Sequence, residues 1–292
     1  MKDSFFESSF AKQCRFDYDF ITTFKDRPKW EILSRQYNNI NNNNINNNNL
    51  KSNNFNKIIP KKIHQIWIGK RKLPKKYLNW MKTWKTINSD WEYNFWDDKK
   101  IKELNFKNQD LYDSSNNVGF KSDIARYEIL NQFGGLYVDT DLECIKKIPE
   151  HFRNFDYISC IVFDNSPQIA NGVIFAKPNA KINSNVMKNI LKSSNEESAL
   201  DILNCSGANL ITREYFKLEK EERDKILILP SNYFYPIPNF IIGNESDKEK
   251  FITKETIGIH YWEVSWMKGN LIKRIVEKLL KIINKFLDNL KN

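Results

Sequence analysis

The sequence predicts an α/β domain with a mainly parallel central sheet flanked by helices, and two observations carry this prediction. Short apolar runs bounded by glycine, proline or acidic residues recur between residues 61 and 178, as is typical of buried strands. A stretch with helical apolar spacing separates two of them. Strands that alternate with helices favour a parallel sheet, in which ligands bind beyond the carboxyl ends of the strands.

Five segments are predicted to be strands. KKIHQIWIG (61–69) is an apolar run that ends at a glycine, and WEYNFW (91–96) follows it along the chain. LYVD (136–139) comes directly after two glycines. DYISCIVF (156–163) and NGVIFAKP (171–178) complete the set. Their lengths suit strands that cross the middle of a sheet.

The segment GFKSDIARYEILNQFGG (119–135) predicts the helix that precedes the third strand. Its apolar residues fall on one stripe: Phe120, Ile124, Tyr127 and Leu130. The glycines Gly134 and Gly135 provide a C-terminal stop. We therefore expect the helix to end at these glycines and the strand LYVD to follow.

The two ends of the chain differ from the domain between them. Residues 1–56 are predicted to be a helical lead whose second part, about 38–56, is an Asn-rich linker, because such a tract has no core to bury. The main domain is placed at 57–268. Residues 269–292 predict an amphipathic helix with a basic polar face. Two interpretations stay open for it: docking on its own domain, or peripheral membrane contact through residues 270–292.

Composition restricts the classes of partner and compartment. The net charge of +10 is unevenly spread, and the predicted main domain carries only about +4, an excess that suits a phosphate-bearing small substrate and is too thin for a nucleic-acid partner. The four cysteines form no CxxC pair, which argues against a zinc site or a disulfide framework and favours a reducing compartment. We see no signal peptide and no apolar run of about 20 residues. The expectation is a cytoplasmic protein, with peripheral membrane association as the alternative.

The triplet Asp139-Thr140-Asp141 is the first candidate site. Carboxylates separated by one residue at the end of a strand project to the same side, and their oxygens are ligands that Mg²⁺ and Mn²⁺ prefer. Such an ion would bridge a diphosphate and neutralise charge on a leaving group. An ordinary acidic surface turn has the same sequence, so the motif needs support from its surroundings. Glu143 is left open between solvent and the acceptor side.

Three positions near this motif support a site. Asp123 and Arg126 lie three residues apart on the predicted helix and share a face, either as a surface ion pair or as a carboxylate and a guanidinium for sugar and phosphate oxygens. Trp67 is either a core residue or a platform for a nucleobase. His64, by contrast, is expected to be a structural strand residue.

These segments occur in an order that resembles a known family. The joint pattern SDxxRYExLxxxGGxYxDxD (122–141) is specific, and ANGVIFAKP, SGANLIT, LPSNYFYPIP and HYWEVSW follow it. Together they resemble the DXD-containing sugar transferases of glycosyltransferase family 32. That family includes the yeast Och-type mannosyltransferases and is related to the large clostridial glucosylating toxins. The resemblance covers about residues 60 to 266.

The resemblance implies a fold of the GT-A type, a nucleotide-sugar donor (a UDP-sugar being favoured), a divalent cation (Mn²⁺ or Mg²⁺) and retention of anomeric configuration. The acceptor would be a hydroxyl group of a glycan, glycolipid or protein. No candidate nucleophile stands out, so attack from the front face is favoured over a covalent intermediate. The alternative is an inactive transferase-like module that binds a membrane or glycan through the basic C-terminal helix.

The resemblance also assigns residues, position by position. Asp123 and Arg126 match residues that hold the donor sugar. Asp139 and Asp141 match the motif for metal and diphosphate, with Asp141 the direct metal ligand. The remaining matches bind the donor: the base-stacking aromatic Trp67, the donor-contacting Tyr137, the sugar-pocket residue Asn171, and His260, Ser265 and Trp266 of the segment that closes over the diphosphate.

Overall fold

A computed structural model gives the structure of the chain and describes residues 8–14, 26–46, 58–163, 166–193, 195–196, 198–238 and 245–263. The helices are α1 (Ser9–Gln13), α2 (Arg27–Asn46), α3 (Lys75–Ile87), α4 (Asp98–Lys102), α5 (Gln109–Ser114), α6 (Val118–Phe133), α7 (Lys181–Lys188), α8 (Ala199–Cys205), α9 (Ala208–Lys217) and α10 (Lys220–Arg223). The strands are β1 (Lys62–Ile66), β2 (Glu92–Trp96), β3 (Gly135–Val138), β4 (Leu142–Cys144), β5 (Tyr157–Phe163), β6 (Ser166–Ile169), β7 (Val173–Ala176), β8 (Ile226–Leu229) and β9 (Gly258–His260). The predicted C-terminal helix, 269–292, lies outside the described residues.

Seven of these strands form the central sheet. Its order is β2-β1-β3-β7-β5-β8, and β6 pairs with the far end of β5. β1 runs parallel to β2 and β3, and β5 runs parallel to β8, whereas β7 is antiparallel to both of its neighbours. Five strands therefore share one direction, and the predicted α/β class with a mainly parallel sheet is confirmed. β4 and β9 form a small antiparallel sheet beside it.

Residues at both ends of α6 fix where the helix begins and where it passes into β3. Asn117 accepts hydrogen bonds from the backbone N–H groups of Gly119 and Phe120, and so caps the helix. Gly134 and Gly135 both have positive φ, at 61° and 102°. A Cβ atom on Gly135 would lie 2.5 Å from the carbonyl oxygen of Lys62 in β1. Only glycine fits there, and the chain passes from the end of α6 directly into β3.

Helix α6 is buried all round, which differs from the single apolar stripe expected from its spacing. It packs on β1, β3 and β7 and is covered by α5 and α7. Its polar residues Asp123, Arg126, Glu128 and Asn131 are buried with the apolar ones. The spacing of the apolar residues predicted one buried face of the helix. It did not predict that α5 and α7 cover the rest.

Helix α2 is longer than the sequence predicted. The expected linker begins at about residue 38, but the helix continues to Asn46. Trp30, Leu33 and Tyr37 are buried and anchor the first half against β8. Extending an anchored helix is easier than starting one, and asparagine costs at most about 0.7 kcal/mol per residue relative to alanine. Residues 47–57 lie outside the described ranges, so the domain boundary itself stays a prediction.

All four cysteines (Cys14, Cys144, Cys160 and Cys205) are buried and carry free thiols. Burial raises the pKa of Cys144 to about 12. Such thiols are neutral and inert at neutral pH. Within the described ranges no helix combines the length and the apolar character that crossing a bilayer requires.

His64 is a structural residue of β1, as expected. It is 1% exposed. Its Nε2–H donates to the carbonyl oxygen of Gly134 at 2.9 Å, and its Nδ1 accepts from Nε1–H of Trp96 at 3.1 Å. Both ring nitrogens are thus used in the neutral form, and burial lowers the pKa to about 4.

This lowered pKa predicts a loss of stability in mild acid. The imidazole protonates near 6.5 in the unfolded chain and near 4 in the folded one. The unfolded state therefore binds more protons between these values, and the free energy of unfolding falls as the pH decreases through them, by about 2 kcal/mol at pH 5. Urea unfolding at neutral pH and at about pH 5 measures this. His64→Gln, which keeps a donor but does not titrate, should lose less over the same interval; an equal loss contradicts the assignment.

Candidate active site

The carboxyl ends of β1 and β3 open into a cavity of about 770 Å³. Its walls are the loop after β1, the turn after β3, the first half of α6, and parts of α8 and α9. This volume suits a small-molecule site. Six of the predicted site residues line it: Trp67, Asp123, Asp139, Asp141, Asn171 and His260. The cavity lies where the fold class predicts a ligand site.

Two carboxylates and an imidazole meet at the floor of this cavity. Oxygens of Asp139 and Asp141 and a ring nitrogen of His260 lie within 4.8 Å of one another. Nε2 of His260 is 3.4 Å from Oδ1 of Asp141 and 3.9 Å from Oδ2 of Asp139. These three residues come from the turn after β3 and from the end of β9, which pairs with β4 and so brings distant parts of the chain together.

The second oxygen of each carboxylate is held by the protein. Tyr137 Oη–H donates to Oδ1 of Asp139 at 2.7 Å, and the backbone N–H of Glu263 donates to Oδ2 of Asp141 at 2.9 Å. The other two oxygens therefore turn towards the common point beside His260. Burial raises the pKa of Asp141, and the neighbouring imidazole opposes this effect. A divalent cation at that point would restore the charged form, so the two carboxylates fit a hard metal ion.

The position of His260 is set by Trp262. The backbone N–H of Trp262 donates to Nδ1 of His260 at 3.2 Å. In the neutral ring the proton is then on Nε2, which faces the carboxylates as a donor. To become a third metal ligand through Nε2, His260 would have to lose this contact. Trp262 itself has φ of 56°, a conformation that is costly for a side chain of this size and is held by the surrounding contacts.

Asp123 and Arg126 form a buried pair and not a surface ion pair. Each is 5% exposed, and Nη2 of Arg126 lies 3.1 Å from Oδ1 of Asp123. Asp123 also accepts from Nδ2 of Asn171 at 2.9 Å and from the hydroxyl of Ser206 at 2.7 Å. Burial raises the pKa of Asp123 to about 6, and the guanidinium limits the rise. This carboxylate lines the cavity with its orientation fixed from three directions.

Arg126 connects this pair to the acidic turn. Its Nη1 donates to the carbonyl oxygen of Asn171 at 2.7 Å, and its Nη2 lies 3.4 Å from Oδ1 of Asp139. The guanidinium carbon lies 4.5 Å from the centre of the Tyr137 ring. Burial alone would lower the pKa of Arg126, but Tyr137, Asp139 and Asp123 raise it above its ordinary value. The Arg126 side chain stays charged. It does not line the cavity but contacts the two carboxylates that do.

The other predicted site residues have different placements. Tyr137 is also behind the wall, where it contacts Asp139 and not the cavity. Trp67 is half-buried at the rim; its Nε1–H donates to the carbonyl oxygen of Arg71 at 2.7 Å. Ser265 and Trp266 lie outside the described residues, so their predicted roles have no structural counterpart here.

Sequence reasoning missed three residues of the site. A Cβ atom on Gly172 would lie 2.5 Å from Oδ2 of Asp139 and 2.6 Å from the hydroxyl of Tyr235, so only glycine lets the turn approach. The ring of Tyr235 lies 4.6 Å from that of His260. The hydroxyl group of Ser206, at the C-terminal end of α8, donates a hydrogen bond to Asp123. Gly172 and Ser206 lie in motifs that the sequence shows, but their partners are distant along the chain.

Comparison with known proteins identifies the region that carries this site. Residues 74–158 match the family described as glycosyltransferase sugar-binding region containing DXD motif. The chain thus contains a region similar to the DXD-containing glycosyltransferases. The DXD triplet is Asp139-Thr140-Asp141, the turn at the cavity floor.

Proteins similar to this chain include one from a virus and two from fungi. The uncharacterized glycosyltransferase L373 of Acanthamoeba polyphaga mimivirus is 29% identical over 187 residues, which cover 61% of this chain and 74% of that protein. Inositol phosphoceramide mannosyltransferase 3 of Schizosaccharomyces pombe is 35% identical over 92 residues, 30% of this chain and 25% of that protein. The initiation-specific alpha-1,6-mannosyltransferase of Candida albicans is 32% identical over 116 residues, 35% of this chain and 29% of that protein. The chain therefore spans less than a third of either fungal relative.

Solved structures of glycosyltransferases are similar to this chain over part of its length. The catalytic domain of alpha-toxin from Clostridium novyi has a TM-score of 0.46 at 11% identity, over 76% of this chain and 83% of that chain. PaToxG glycosyltransferase has a TM-score of 0.43 at 17% identity, over 66% of this chain and 80% of that chain. Residue roles in the present chain therefore depend on its own geometry.

Proposed function

We propose that the chain is a metal-dependent, retaining glycosyltransferase that moves a sugar from a nucleotide-sugar donor to a hydroxyl group of a glycan, glycolipid or protein. The observation that carries the proposal is the pair of carboxylate oxygens, from Asp139 and Asp141, that face one point beside the buried Asp123–Arg126 pair. Retention and the UDP-sugar donor follow from the family resemblance. The names of the fungal relatives make a mannosyl donor the main alternative.

Asp139 and Asp141 would hold Mn²⁺ or Mg²⁺, and the bound ion would neutralise the charge of a diphosphate leaving group. His260 presents Nε2–H towards the same place, where it can donate to a phosphate oxygen. Arg126, from behind, holds Asp139 in position. The bound ion and the Nε2–H of His260 would stabilise negative charge that develops as the glycosidic bond to the nucleotide breaks.

Asp123 is suited to orient the donor sugar. Its Oδ1 is occupied by Asn171 and Arg126, whereas its Oδ2 accepts from Ser206 and retains a lone pair for a hydroxyl group in the cavity. A sugar held in this way presents its anomeric carbon to the acceptor hydroxyl on the face that the leaving group vacates. Front-face attack of this kind retains configuration without a covalent intermediate on the protein.

A screen of nucleotide sugars with and without Mn²⁺ tests this function. A ligand that binds only the native state adds about 2.7 kcal/mol of stability at a hundred times its dissociation constant, so the melting temperature should rise. We expect a rise with at least one UDP- or GDP-sugar that depends on the metal, together with slow release of the sugar into water. If no member of the panel stabilises the protein and none is hydrolysed, the inactive binding module is the better description.

A further inference from the structure

A stretch rich in basic residues and free of acidic ones surrounds α3. Residues 61–89 contain nine lysine or arginine residues and neither aspartate nor glutamate, in a chain whose net charge is +10. Most of the net charge is therefore concentrated on one segment, although the mean excess along the chain is small. The proposed sugar transfer uses only the part of this segment that borders the cavity.

The exposed side of α3 carries much of this charge. Its inner stripe, Tyr77, Met81 and Trp84, is buried against the domain. Its outer stripe follows the same helical spacing and consists of Lys75, Leu78, Lys82 and Lys85, which we call the α3 basic face. Leu78 is 51% exposed. Within the described part of the chain, no carboxylate lies within 4 Å of these three lysines, so their charge is available to a partner.

The α3 basic face adjoins the mouth of the cavity. Lys70 and Arg71, in the loop before α3, line the cavity. Lys76, beside the face, forms an ion pair with Glu263, whose backbone holds Asp141. A partner on this face would therefore lie next to the opening through which an acceptor enters.

We propose that the α3 basic face docks the protein on an anionic lipid surface. Lysines close to such a surface each contribute about a factor of five to partitioning, because about 1 kcal/mol is gained per residue. Their alkyl stems and the side chain of Leu78 give the face an apolar component that a bilayer interface accommodates. A nucleic acid would gain from the charges but not from an exposed leucine between them. This surface is separate from residues 270–292, which lie outside the described residues.

Docking on this face would select the acceptor, a consequence that rests on the proposed transferase activity. The cavity mouth would lie beside lipid headgroups, so the acceptor hydroxyls within reach belong to glycolipid headgroups or to proteins attached to the membrane. The binding itself does not depend on catalysis and is measured separately from it.

Co-sedimentation of the full chain with vesicles tests the docking. We compare phosphatidylcholine vesicles with vesicles that contain about 30% phosphatidylserine, a fraction that gives a strongly negative surface. The variant Lys75→Gln/Lys82→Gln/Lys85→Gln should lower the partition coefficient on anionic vesicles on the order of a hundredfold, from three factors of five. The matched control Lys181→Gln/Lys188→Gln/Lys192→Gln removes the same charge from exposed sites at α7 and just after it, and should change partitioning far less.

The variant Leu78→Ser tests whether the α3 basic face enters the membrane interface or binds it by charge alone. It should lower partitioning on anionic vesicles several-fold at unchanged charge, because an exposed leucine that enters the interface loses its apolar contact. Equal losses in both lysine variants, no loss in either, or tight binding to RNA without binding to vesicles would overturn the proposal. Hydrolysis of a nucleotide sugar with Mn²⁺ in vesicle-free buffer should be equal in wild type and variants. If that hydrolysis is absent while vesicle binding follows the predicted pattern, the proposed function fails and the docking surface stands.

Discussion

The double variant Asp139→Asn/Asp141→Asn should lose sugar transfer by on the order of a thousandfold or more, while its fold remains intact. Removing one preorganised group that stabilises developing charge typically costs a hundredfold to a thousandfold, and this variant removes the two carboxylates that would hold the metal. Asparagine preserves the hydrogen bonds from Tyr137 and from the backbone of Glu263, since its side-chain oxygen still accepts them.

The same variant should be as stable as the wild type in the absence of metal, or more stable. Burial raises the pKa of Asp141, which means that the folded state penalises its charge. A neutral amide removes this penalty. The measurements are turnover of the nucleotide sugar with Mn²⁺ and thermal melting with and without the ion. Asp110→Asn, an exposed carboxylate in the first turn of α5, is the matched control. Turnover within tenfold of wild type in the double variant would show that the carboxylates do not serve the reaction.

Arg126→Met should destabilise the fold by about 3–5 kcal/mol, because it leaves the buried carboxylate of Asp123 without its partner. Activity should be lost as well, since Asp139 also loses its neighbouring positive charge. Urea unfolding gives the stability. The loss should be smaller at about pH 5 than at pH 7, because Asp123, with its pKa already raised to about 6, accepts a proton in the folded state.

A second variant distinguishes stability from function. Asp123→Asn/Arg126→Met removes both charges, so most of the lost stability should return while transfer remains absent. Lys220→Met is the control, because Lys220 is exposed, its partner Asp224 is partly exposed, and such a pair contributes no more than about 1 kcal/mol. If the double variant is no more stable than Arg126→Met, the destabilisation comes from lost packing and not from the unpaired charge.

The sequence was a good guide to the elements because their signals are local. The five segments predicted to be strands overlap β1, β2, β3, β5 and β7. The segment predicted to be a helix matches α6 within a residue or two at each end. Local signals also placed Asp139 and Asp141 at the end of β3. The extension of α2 to Asn46 was missed, because burial of its first half outweighs the weak helix propensity of asparagine.

The arrangement of the site depends on contacts between distant residues, which local patterns do not contain. Tyr137 is buried and its hydroxyl group donates to Asp139, so its expected contact with the donor stays a prediction. Glu143, left open between solvent and acceptor, accepts a hydrogen bond from Tyr261 at 2.5 Å in the small second sheet. Gly172 and Ser206 belong to the site because they contact Asp139 and Asp123, which lie far from them along the chain.

Because α6 is buried on every side from Asp123 to Asn131, Asp123 and Arg126 belong to the interior of the domain. Any exchange at Asp123 or Arg126 should disturb folding, so these positions offer little freedom to evolve or engineer a new sugar preference. Another part of the cavity wall is less constrained: Ala199 and Leu203 of α8 line the cavity and are only half-buried. Changes of specificity that preserve stability are best sought in that helix.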